Sequence, residues 1–185
     1  MPKRKPIPKQ KETSIPKFKK YIALFKFFGI FIVVIAAYYS IVLIFSESVL
    51  EPYINFNAKL AGGLLSLLGN NIVVKAADII SPTFVISLSF GCEGSETIII
   101  FFAGVLAFPI LMKYKFYGLL AGGVILYLLN LIRIILLFYI GIYFTKSFDT
   151  FHAEIFPVLF IVISIITWAL WLKWSTKKLK QSSTV

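Results

Sequence analysis

The sequence predicts an all-α integral membrane protein: a four-span helical bundle with a small extracytoplasmic insert, made of one helix and a β-hairpin. Three observations lead there. Of 185 residues, 59% are hydrophobic and the mean hydropathy is +0.89, well above the roughly 45–50% apolar usage of soluble domains. Apolar stretches at about 21–45, 97–112, 116–142 and 153–171 approach or exceed the ~20 residues that span a bilayer as helix. The Lys and Arg residues gather at the two ends and at one turn, the pattern by which a membrane chain encodes its orientation. With 17% aromatic and only 15% charged residues, disordered and coiled-coil readings fail as well.

The elements follow in order. Residues 1–20 hold eight Lys and Arg against Glu12, broken by Pro2, Pro6, Pro8 and Pro16, and are expected to be a solvated basic cytoplasmic tail. A single transmembrane domain covers 21–174. Its first span, 21–45, is too long for the core of a signal peptide despite the small pair Ala36–Ala37, so it is expected to be an uncleaved anchor. The stretch Phe56–Leu68 places Leu60, Leu64, Leu67 and Leu68 at helical spacing before Gly69–Asn70, which suits a short helix on the membrane surface. Residues 72–76 and 84–90 then read as two strands of a hairpin. The second and third spans flank a tight turn with Lys113 and Lys115. A polar loop with Lys146, Asp149 and His152 precedes the fourth span, whose end carries Trp168, Trp171 and Trp174 as an interfacial aromatic belt. Residues 175–185 form a second basic cytoplasmic tail.

Four spans place both termini and the 113–115 turn on one side. That side holds 15 of the 19 Lys and Arg residues but only Glu12 of the eight acidic ones. The positive-inside rule makes it cytoplasmic, so the chain is expected in the cytoplasmic (inner) cell membrane with Cys92, Glu93, Glu96, Asp149, His152 and Glu154 at the extracytoplasmic face. Basic tails at the ends of spans serve orientation and anionic lipid; membrane lipids are expected partners, nucleic acid is not. One Cys and one His exclude Cys/His zinc and iron–sulfur sites on ligand count, and neither metal nor cofactor is expected.

Three residues could carry chemistry. Arg133 lies inside Leu128–Leu136, where a charge costs at least ~2.5–3.5 kcal/mol. Asn130, three residues earlier, shares its helix face and can orient it. Arg133 is then either a functional cation or structural glue for Glu96 or Glu154. Cys92, between Gly91 and Glu93–Gly94, enters the second span at a helix start, whose dipole favours an anionic nucleophile; the alternative is a small buried hydrophobe. His152 is either an interfacial residue or the proton carrier for that thiol. Together a Cys, a His and an Arg on one face are the set that thiol acyl transfer needs.

These residues bear a resemblance. Gly91–Cys92–Glu93–Gly94 at the start of one span, Leu129–Asn130–Leu131–Ile132–Arg133–Ile134 in the next, and His152 before the last are similar to the exosortase/archaeosortase family, as is the upstream Leu67–Ile72 run; the resemblance covers about 55–160. It implies a membrane cysteine transpeptidase or protease acting on exported proteins that end in a short motif, a hydrophobic helix and a basic cluster. The acyl group would pass to a surface acceptor. In that reading Cys92 is the nucleophile, Arg133 the charge stabiliser and His152 the proton-transfer residue. The chain is shorter than many members, with fewer spans, and has Glu93 where a small residue is common, which points to a minimal type.

Glu93 and Glu96 either recognise polar substrate groups or pair with Arg133; pairing is favoured for Glu96, four residues from Cys92. A non-enzymatic membrane scaffold or lipid-binding module is the rival reading, and it predicts a dispensable Cys92. A transporter ranks last, because the sequence has neither an inverted repeat nor an intramembrane acidic relay.

Overall fold

A lipid core offers the backbone no hydrogen-bond partners, so apolar stretches must satisfy their own peptide groups as helices. The computed structural model describes residues 17–45 and 50–182; the expected tail over 1–16, Glu47 and the last three residues lie outside them. The order is α1 (Lys17–Phe45), α2 (Glu51–Leu67), β1 (Val73–Lys75), β2 (Asp78–Ile80), β3 (Val85–Ser87), α3 (Ser95–Ala107), α4 (Met112–Tyr143), α5 (Phe148–Thr150) and α6 (Phe156–Ser182). A 3₁₀ turn, Thr145–Ser147, precedes α5, and a π-helical turn, Phe151–Ile155, joins it to α6. The segment expected as a polar loop is thus wound into short helical turns, and α6 continues through the lysines of the expected second tail.

Among the described residues, three segments are long and apolar enough to cross a membrane: Tyr21–Phe45, Met112–Tyr143 and Thr145–Gln181. The expected second span is different. Phe108 precedes Pro109 and is extended (φ −73°, ψ 130°), as the clash with a proline ring demands. Helix α3 therefore stops after 13 residues, about 20 Å, against ~30 Å of hydrocarbon. Hydropathy alone counts four spans; the described residues hold three helical segments long and apolar enough to cross, with α3 as a shorter apolar helix.

The insert also differs from expectation. It is a three-stranded antiparallel sheet in the order β1-β2-β3, not a hairpin of two strands. The pairings Lys75↔Asp78 and Ile80↔Val85 close its two turns. The first turn is Ala76–Ala77, with Ala76 at φ +52°. Neither residue is a usual signal for such a turn, so β2 was hidden inside what read as a loop. The second turn, Ser81–Phe84, is held by the Ser81 N–H to the Phe84 carbonyl at 2.9 Å and by the Phe84 N–H to Ser81 Oγ at 3.0 Å.

Two cores hold the chain together. One gathers Ala58, Ala61 and Leu65 of α2, Ile79 and Ile86 of the sheet, and Ile134, Leu137 and Phe138 of α4, and it reaches Cys92. Helix α2 thus lies against the sheet and α4 through its small residues. The second core packs Phe101 and Val105 of α3 on Leu126 of α4 and Trp171 of α6. The Trp171 indole donates to the Tyr114 carbonyl at 3.0 Å. Helix α1 is apolar all round and packs chiefly on α3.

Candidate active site

Cys92 sits where the sheet hands over to α3. The turn requires Gly91 (φ +89°) and Gly94 (φ +79°) in the left-handed region, which side-chain-bearing residues adopt only at a cost. At Gly94 a Cβ would also collide with the Asn130 side chain. The Cys92 N–H donates to the Ser89 carbonyl at 3.0 Å, and Ser89 Oγ lies 3.9 Å from the sulfur. Cys92 is 7% exposed.

The π-helical turn brings His152 to it: Cys92 Sγ and His152 Nε2 are 2.6 Å apart. The imidazole stacks on Phe148, centroids 5.5 Å apart and planes 15° from parallel, and Phe148 leans edge-on against Phe84 at the sheet turn. One added residue in a helical turn rotates the side chains that follow, which is why such turns recur at functional sites.

Arg133 completes the group from α4. Its Nη1 donates to the Gly91 carbonyl at 3.4 Å, and its guanidinium carbon stands 5.9 Å and 5.4 Å from the Phe156 and Phe160 ring centres of α6. Among the described residues the guanidinium forms no ion pair with a carboxylate, and Nε has no partner. Aromatic faces and a carbonyl, with no acid in direct contact among the described residues, stand against this buried charge, and Glu93 and Glu96 favour it from farther off. A cleft of about 390 Å³ holds Cys92, His152 and Arg133 together with Glu96, Tyr39 and Phe160.

The structure corrects the supporting roles. Glu96 lines the cleft but does not pair with Arg133; its Oε1 accepts from the Tyr39 hydroxyl of α1 at 3.0 Å. Glu93 is fully buried and turned away from the cleft: Oε1 accepts from Ser95 Oγ at 2.5 Å, Oε2 has no partner, and the Ser95 hydroxyl also bonds to that of Tyr38. Asn130 packs on Gly94 with both amide atoms unpartnered, so it does not orient Arg133 by a hydrogen bond. Sequence reasoning missed Tyr38 and Tyr39, whose only signal is a Tyr-Tyr-Ser cluster in an otherwise apolar helix. It also missed Phe148, Phe156 and Phe160, which nothing in the sequence separates from other aromatics.

A thiol, an imidazole and a guanidinium from three separate segments therefore meet in one cleft, and the family model for transmembrane exosortases (Exosortase_EpsH) matches residues 22–169 of the 185. The chain belongs to that family. As an exosortase it is a multi-pass membrane protein, in keeping with its apolar helices. The match spans all the residues of the exosortase cleft, from Tyr39 to Ile161. No curated protein and no solved structure shows significant similarity to the chain.

Proposed function

We propose that this exosortase-family chain is a membrane-embedded cysteine peptidase and transpeptidase. It cleaves the C-terminal sorting signals of exported proteins at the extracytoplasmic face and transfers them to a surface acceptor. The observation that carries the reading is the 2.6 Å approach of Cys92 Sγ to His152 Nε2 in a cleft shared with Arg133. His152 takes the thiol proton as Cys92 attacks the scissile carbonyl. Arg133, in no direct ion pair with a carboxylate among the described residues, faces the oxyanion of the tetrahedral intermediate. Collapse breaks the C–N bond, His152 returns its proton to the leaving amine, and the N-terminal part of the substrate stays on Cys92 as a thioester. An acceptor nucleophile then resolves it.

The charge distribution supports the orientation. Basic ends stay cytoplasmic, α3 with the non-helical turn at Phe108–Leu111 makes a fourth crossing, and the cleft faces outward. A substrate with a hydrophobic helix and a basic cluster is held in the same sense, so its motif arrives at the depth of Cys92.

Co-expression with an exported reporter bearing such a tail tests the reading. Cleavage is expected from the parent chain and not from Cys92→Ala at equal membrane levels. Cleavage that survives without Cys92 sinks the mechanism and leaves a membrane scaffold in its place.

A further inference from the structure

Strand β3 ends the sheet: among the described residues it pairs with β2 and with no other strand. An antiparallel ladder alternates, so every second residue turns both its N–H and its C=O toward the partner strand. Here the Leu88 N–H donates to the Ala77 carbonyl at 3.0 Å, and Phe84 receives the Ser81 N–H at 2.9 Å. In this register (77 with 88, 79 with 86, 81 with 84) the residues facing β2 are Phe84, Ile86 and Leu88. Val85 and Ser87 therefore aim their backbone donors and acceptors out of the sheet, and both side chains are exposed while Ile86 is buried. Unpaired edge groups of this kind are a template for another extended chain.

The position of the edge decides what that chain is. A small cavity of about 100 Å³ is walled by β3 on one side and by Leu137 and Phe148 on another, and it shares Cys92 and His152 with the larger cleft. The reacting pair is thus open on two sides, one of them running along the edge strand. The cavity has room for a single side chain between apolar walls.

We propose that the substrate peptide binds as a fourth strand on the free edge of β3, pairing with the backbone of Val85 and Ser87. One of its side chains fills the cavity between β3, Leu137 and Phe148, and the next peptide carbonyl lies at Cys92. The proposal rests on the cysteine peptidase reading above and adds the mode of recognition: an extended segment held by main-chain hydrogen bonds, with one apolar residue read beside the scissile bond. Main-chain pairing positions the carbonyl without demanding a particular sequence, and the cavity supplies the selectivity.

Proline tests the edge directly, because it removes an N–H and is tolerated where that N–H faces out of a sheet. In full-length chain co-expressed with the tailed reporter, Val85→Pro is expected to lower cleavage by about tenfold or more, the effect of losing one substrate hydrogen bond. Val73→Ala, an exposed position on the far strand β1, should stay within about twofold of the parent at equal membrane levels. A photo-crosslinking residue placed at Val85 in a Cys92→Ala background should trap the reporter within a few residues of its cleavage point, a readout that does not need Val85→Pro to fold. Parental cleavage by Val85→Pro, or trapping of a second copy of this chain in place of the reporter, overturns the strand proposal while leaving Cys92-dependent cleavage intact. Trapping at Val85 by a parent chain that cleaves nothing would keep the edge as a peptide site and sink the cysteine chemistry.

Discussion

Arg133 takes a formal charge into an apolar helix, is 4% exposed, and meets two phenylalanine rings and a carbonyl instead of an acid. A residue kept as structural glue would be paired; one kept for a charge that develops during reaction would not be. Arg133→Met, which preserves bulk, should leave the thermal midpoint in detergent unchanged or raised, while reporter cleavage falls by about 10²–10³, the loss typical of one oxyanion donor. A large fall in the midpoint instead would return Arg133 to a structural role. Cys92→Ser keeps the shape of the side chain but not its nucleophilicity, and cleavage in single-turnover assays should drop by at least about a thousandfold. The three chemistry-bearing residues were legible because their types are rare in this chain: one Cys, one His and one Arg inside an apolar run. Glu93, Glu96 and Asn130 were legible as candidates but not in their roles. Where a carboxylate in a glycine-flanked turn points depends on two left-handed residues, Gly91 and Gly94, and no spacing rule applies through such a turn.

The Cys turn and the π-helical turn are the elements that make the site. Gly94 holds φ +79° at the start of α3 and presses on Asn130, so Gly94→Ala should lose about 1–2 kcal/mol from the backbone alone. The collision of the new Cβ with the Asn130 amide adds a further loss, and an Asn130→Ala background should relieve that added part while leaving the backbone part; thermal unfolding of the two single variants and the double measures the coupling. Long apolar helices were legible from hydropathy. Strand β2 was not, because three residues closed by an Ala–Ala turn carry too little pattern. The early end of α3 follows from Pro109, a local signal that a hydropathy window averages away.

At the scale of the whole molecule, charge placement makes a prediction that labelling can check. Cys92 is the only cysteine, so a Cys92→Ala chain is a clean background for single engineered cysteines. Lys146→Cys should react with a membrane-impermeant maleimide added to intact cells, and Lys113→Cys only after lysis; the reverse pattern would invert the topology. Composition, hydropathy and the sign of the loops determined by themselves that this is a multi-pass membrane chain, its expected orientation and the residue types available for chemistry, because those properties are sums over segments and need no contacts. Only the tertiary structure decided that Cys92 meets His152, that Arg133 forms no ion pair among the described residues, and that the edge of β3, which pairs there with β2 alone, runs beside them. Each of these depends on directions set by a few backbone angles and on packing between segments 40 to 60 residues apart.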